Sequence, residues 1–153
     1  MSEKTTEELE NILKKYNAEN IGEFFDKNGK EMVSESLTFR NYFNDLMKEK
    51  GLKLRDLFIQ ADISESYGYK LISGQKHTQK RDVILRLCIC MKCSLFETQH
   101  LLNLYGMQPL YARKKRDAIL MIAVNEGHGS IYLVNELLEQ YGEEQLYSCG
   151  ELG

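Results

Sequence analysis

The chain has 153 residues, of which 42% are hydrophobic and 28% charged, and a net charge of −3. That allows one hydrophobic core with appended helices and excludes two large domains, a disordered chain or a fibrous repeat. The longest apolar run, Ala118 to Val124, falls far short of the roughly 18–20 residues that a membrane helix needs. Residues 1–10 are acidic and lack the basic start and apolar stretch of a secretory signal, so the expectation is a cytoplasmic protein without membrane contact.

Helical periodicity dominates from the start. Thr5 followed by Glu8 reads as a capping box opening a helix through Tyr16, with Leu9, Ile12 and Leu13 as its apolar stripe. Asn20 followed by Glu23 predicts a shorter helix carrying Phe24 and Phe25, and residues 1–36 together form an acidic helical segment. A third helix is expected from about Ser36, with Leu37, Tyr42, Phe43, Leu46 and Met47 toward the core, stopping at Gly51. Lys53 to Ala61 reads as a short helix, and Ser64 as the N-cap of another that ends at Ser73-Gly74. After a basic loop, Gln75 to Arg81, a helix runs from Asp82 to about Lys92, and Ser94 caps one that ends at Tyr105-Gly106.

The pattern then repeats. Ser94, Leu101, Leu102, Tyr105, Gly106, Leu110 and Tyr111 recur 36 residues later as Ser130, Leu137, Leu138, Tyr141, Gly142, Leu146 and Tyr147. Upstream, Arg81-Asp82-Val83-Ile84-Leu85 matches Arg116-Asp117-Ala118-Ile119-Leu120 at an offset of 35. A helical hairpin at 81–106 is therefore duplicated within 107–153, and stacking the copies lets each bury an apolar stripe it could not bury alone. A strand is the alternative for Ala118 to Val124, but the equivalence to a helical segment favours helix.

Residues 51–74 combine a short helix, a tight turn with the apolar-Ser pair Ile63-Ser64, and a second helix closing on Gly74. With Leu57, Ala61 and Leu71 in the same frame, this stretch resembles the helix-turn-helix of the Cro and phage-repressor (XRE-like) regulators. The resemblance spans about residues 37–102, and with 37–106 as the domain it implies a five-helix, all-α DNA-binding fold. Ser-Tyr-Gly-Tyr-Lys, Ile-Ser-Gly and the later Arg-Asp-Ala-Ile are similar to Gram-positive members of the family that carry a C-terminal helical extension. Three residues depart from the pattern: Phe58 and Gly68 stand where it has alanine and a buried branched residue, and Asp62 replaces the turn glycine.

What the resemblance implies is a sequence-specific transcriptional regulator that docks residues 64–73 in the major groove of double-stranded DNA. Glu65, Ser66, Tyr69 and Lys70 would face bases, while Ser64, Ser73, Gln75, Lys76 and His77 would contact phosphates. Such proteins commonly bind as homodimers. Local charge agrees, since residues 37–101 carry 11 Lys/Arg against 7 Asp/Glu, a net +4 between flanks of −4 and −3. The row Arg113-Lys114-Lys115-Arg116 offers a solvated face, a second phosphate contact, or a site for an acidic partner such as residues 1–36. The competing reading is a protein-interaction adaptor or antitoxin-like protein that keeps the scaffold without binding DNA.

Other chemistry finds little to attach to. Cys88 and Cys90 point about 200° apart on a helix, so that only Cys90 and Cys93 share a face. Packing is therefore expected for the cysteines, including Cys149, with no metal site and no disulfide. His77, His100 and His128 are scattered, and no nucleophile elbow or phosphate loop is present, so neither an enzyme nor a cofactor is expected.

Overall fold

The computed structural model describes residues 4–29 and 38–148. Among these the chain forms nine α-helices and no strand, and it divides into two compact units, residues 1–37 and residues 38–153.

In the first unit, α1 (Thr6–Leu13) opens on the expected capping box, with Thr5 Oγ1 accepting from the Glu8 N–H and the Glu8 carboxylate from the Thr5 N–H. The helix ends at Leu13 and not Tyr16, because Lys15 and Tyr16 close i→i+3 turns onto Ile12 and Leu13. In α2 (Ile21–Asn28) the N-cap Asn20 does not cap with its side chain, whose Oδ1 accepts from the Asn17 N–H at 2.7 Å. Phe24 is buried and edge-on to Tyr16, whereas Phe25 stays exposed.

The second unit starts with α3 (Phe39–Glu49), capped by Thr38 through a 3.2 Å bond from the Asn41 N–H. Ser36, near which the start was expected, and Leu37 lie outside the described residues. Phe39, Phe43, Leu46 and Met47 are buried, and Tyr42 is half-buried. Then follow α4 (Leu54–Ala61), α5 (Glu65–Ser73), α6 (Arg81–Cys90), α7 (Leu95–Tyr105), α8 (Lys115–Glu126) and α9 (Ile131–Gln140). The segment 118–124 is helical, within α8.

Every residue from Val83 to Cys90 is buried, so α6 is the central rod of this unit, as a helix apolar on nearly all sides must be. Around it pack α4, α7 and α9. The helix stops at Cys90, short of Lys92, because Lys92 takes the left-handed conformation at φ 56° and the Cys93 N–H turns back to the Cys88 carbonyl at 3.1 Å. Cys88, Cys90 and Cys93 are all buried, with Cys90 pushed up to about 12 by desolvation. Cys149 lies outside the described residues.

The two hairpins, α6–α7 and α8–α9, face each other with mirrored contacts. Helix α6 packs on α9, and its counterpart α8 packs on α7. Arg116 donates twice to Asp82, at 3.0 and 2.8 Å, while the matching Arg81 donates to Asp117. Both arginines also hold the segment that leaves their own hairpin, Arg81 through the carbonyls of Gln108 and Pro109, Arg116 through those of Glu144 and Gln145.

Candidate nucleic-acid interface

Helices α4 and α5 are joined by Asp62, Ile63 and Ser64. Asp62 is left-handed at φ 57° and ψ 49°, the conformation for which the turn glycine is ordinarily chosen and which aspartate tolerates better than most residues. Ile63 is buried, and its N–H bonds the Phe58 carbonyl at 3.0 Å, which locks the turn onto the end of α4. Ser64 then caps α5, its Oγ accepting from the Tyr67 N–H at 3.2 Å.

The unusual pair Phe58 and Gly68 is one packing solution. Phe58 is only 1% exposed and lies directly beneath Gly68. A Cβ on Gly68 would sit 2.4 Å from Phe58 Cε1, so the ring fills the space that a branched side chain at position 68 would otherwise take. Its edge also meets Tyr69, with ring centroids 5.4 Å apart in a T-shaped arrangement.

Buried Gly68, Leu71 and Ile72 turn α5 so that Glu65, Ser66 and Tyr69 stand exposed, Tyr69 at 46%, with Lys70 half-buried beside them. Tyr67 packs partly against the core. These four sequence-selected side chains, Glu65, Ser66, Tyr69 and Lys70, thus share the outer part of a helix whose inner face is clamped to the core.

Ser64, Ser73, Gln75, Lys76 and His77 are all exposed, at the start of α5 and around its end. Ser73 Oγ donates to the Lys70 carbonyl and accepts from the Gln75 N–H, both at 3.3 Å, and the Lys76 N–H returns to Lys70 at 3.1 Å. With these N–H groups engaged at the helix end, outward contacts from Gln75 and Lys76 fall to their side chains. The loop is anchored on α7: the His77 ring stacks on Tyr105 at 4.3 Å, its Nε2 bonds the Tyr105 carbonyl at 3.3 Å, and the Thr78 N–H donates to the Tyr105 hydroxyl at 3.0 Å.

The four cations before and within α8 do not act as one face. Arg113 and Lys114 are exposed. Lys115 Nζ caps the Tyr141 carbonyl at the end of α9, and Arg116 turns inward to Asp82. Although burial alone pushes the Asp82 carboxyl up, the Arg116 guanidinium and the Tyr147 N–H outweigh it and hold the group below its ordinary range.

Arg86 is a structural residue that sequence reasoning missed. It is 4% exposed on α6 and has no carboxylate partner among the described residues; its guanidinium donates to the carbonyls of Ala61, Leu146 and Tyr147. The last residue of α4 is thereby tied to the tail of the second hairpin. An arginine inside a run as apolar as Val83 to Cys90 is itself a sequence signal, because a charge enters such a rod only where fixed acceptors wait for it.

No helix among the described residues is long and apolar enough to cross a membrane. No curated protein and no solved structure matches the chain. Residues 43–97, from the middle of α3 to the first turn of α7, match the family model of the Cro/C1-type HTH DNA-binding domain, so this segment is similar to that family.

Proposed function

We propose that this protein is a sequence-specific transcriptional regulator whose helix α5 enters the major groove of double-stranded DNA. The observation that carries the reading is the exposed set Glu65, Ser66 and Tyr69 on a capped helix whose opposite face, Gly68, Leu71 and Ile72, is buried. A helix held in this way presents side chains to base edges without itself rearranging. Ser66 can donate to or accept from a base, Lys70 reaches guanine O6 or N7, and Tyr69 offers a ring edge to a thymine methyl. Glu65 repels phosphate but accepts from cytosine N4, which makes it a source of specificity at the cost of affinity.

The flanking groups Ser64, Ser73, Gln75, Lys76 and His77 supply backbone contacts that set register. A cap hydroxyl that accepts from the helix can still donate outward, so Ser64 serves both roles. Arg113 and Lys114 extend the cationic surface and add phosphate contacts without sequence information.

Binding of the full chain to random-sequence duplex DNA at two salt concentrations tests the reading. Affinity that falls steeply with salt, and is reduced by Lys70→Ala and Lys76→Ala, supports it. Absence of binding at low salt overturns it and favours the protein-interaction adaptor.

A further inference from the structure

We infer that the surface joining the two hairpins is a self-complementary docking surface whose natural partner is a second copy of the hairpin, and that residues 115–148 occupy it from within the same chain. The molecule is in this respect an internal dimer carrying a single helix-turn-helix.

A two-fold interface has a recognisable signature: residue i of one copy meets residue j of the other, and j meets i. The hairpins show it contact by contact. Arg81 pairs with Asp117, and its equivalent Arg116 pairs with Asp82. The Tyr111 N–H donates to Asp117 at 2.9 Å, and the equivalent Tyr147 N–H donates to Asp82 at 2.8 Å. Within each copy the departing segment is fixed alike, with Leu110 N–H bonded to Gln99 Oε1 at 2.7 Å and Leu146 N–H to Asn135 Oδ1 at 2.8 Å. Each carboxylate therefore meets its guanidinium and its Tyr N–H donor only where one hairpin lies against the other.

The symmetry breaks at Arg86, whose equivalent is Met121. Even so, the Leu146 and Tyr147 carbonyls that Arg86 uses correspond to those of Leu110 and Tyr111, so a copy of the first hairpin carries the same acceptors. Because the second hairpin already sits there, the surface is closed to another chain, and the intact protein pairs with no second copy through it.

Sedimentation equilibrium of the full chain at micromolar concentration, together with far-UV circular dichroism, tests this. Reversing both charges of the second hairpin, Arg116→Asp with Asp117→Arg, sets like charges against Asp82 and Arg81 and releases it. The uncovered Arg81 and Asp82 then pair reciprocally with those of a second chain, and the mass doubles relative to the unaltered protein. Adding Arg81→Asp and Asp82→Arg restores opposite charges within the chain and returns the mass to the unaltered value. If the double variant loses its helical ellipticity, recovery of ellipticity and mass in the fourfold variant supports the inference, and failure to recover overturns it. A folded double variant whose mass does not double overturns it as well, as does an unaltered protein that is dimeric and becomes monomeric in the double variant.

Discussion

Arg116 grips Asp82 with two hydrogen bonds of 3.0 and 2.8 Å, and the same pair of residue types is joined in reverse order where Arg81 meets Asp117. The Arg116 side chain also collects the Glu144 and Gln145 carbonyls, so a single guanidinium ties the start of α8 to the start of α6 and to the segment after α9.

Removing that guanidinium leaves Asp82 and two carbonyls short of donors. Arg116→Met is expected to lower the stability of the second unit by about 1.5–3 kcal/mol, the range for lost hydrogen bonds to a charged group. Urea unfolding followed by circular dichroism measures it, and an unchanged midpoint and slope would show that the pair contributes nothing net.

Gly68→Ala separates helix propensity from packing. On propensity alone alanine gains about 1 kcal/mol in a helix interior. Its Cβ, however, meets Phe58 far inside contact distance, and overpacking of this kind costs about 1–3 kcal/mol. The variant is therefore expected to be less stable, and Phe58→Leu in the same chain to recover part of the loss. A Gly68→Ala protein that melts higher than the parent contradicts the packing account.

Two groups with depressed pKa values make the acid limb of stability stepped. Burial beside Tyr42 and Phe96 lowers the His100 value from 6.5, so its contribution is complete above about pH 6.5 and declines as pH falls toward the lower folded value. Asp82 lies below 3.8 in the folded chain, so its contribution is intact above that pH and is lost as pH falls through the folded value. Unfolding free energy measured from pH 8 to pH 3 should therefore fall in two stages. His100→Leu is expected to flatten the first stage and Asp82→Asn the second.

The helix order and most boundaries were legible because caps are written locally: Thr5, Ser64, Ser94 and Ser130 each accept from an N–H within their own first turn. The duplication was legible as spacing. What spacing could not supply was its consequence, because Arg81 and Asp82 are neighbours in sequence yet each pairs with the other hairpin. The basic row at 113–116 read as one patch for the same reason, since only tertiary docking divides Arg116 from Arg113. Asn20 also misled, because its side chain had an alternative acceptor role toward Asn17.

Phosphate contacts can be counted by salt. For a protein that binds duplex DNA as proposed, Lys76→Ala should reduce the slope of log affinity against log salt by about 1, and Arg113→Ala with Lys114→Ala by about 2. None of these changes should alter sequence preference. Slopes identical to the parent would remove the altered residues from the interface.

As proposed, helix α5 reads base sequence. Its most direct test is selection of duplexes from a random-sequence pool by the full chain, repeated with Ser66→Ala and Tyr69→Ala. One recurrent motif is expected for the parent and relaxed preference at defined positions for each variant, with each lost base contact amounting to about 1–3 kcal/mol of discrimination. A pool that remains random after selection, or a motif that neither change alters, contradicts it.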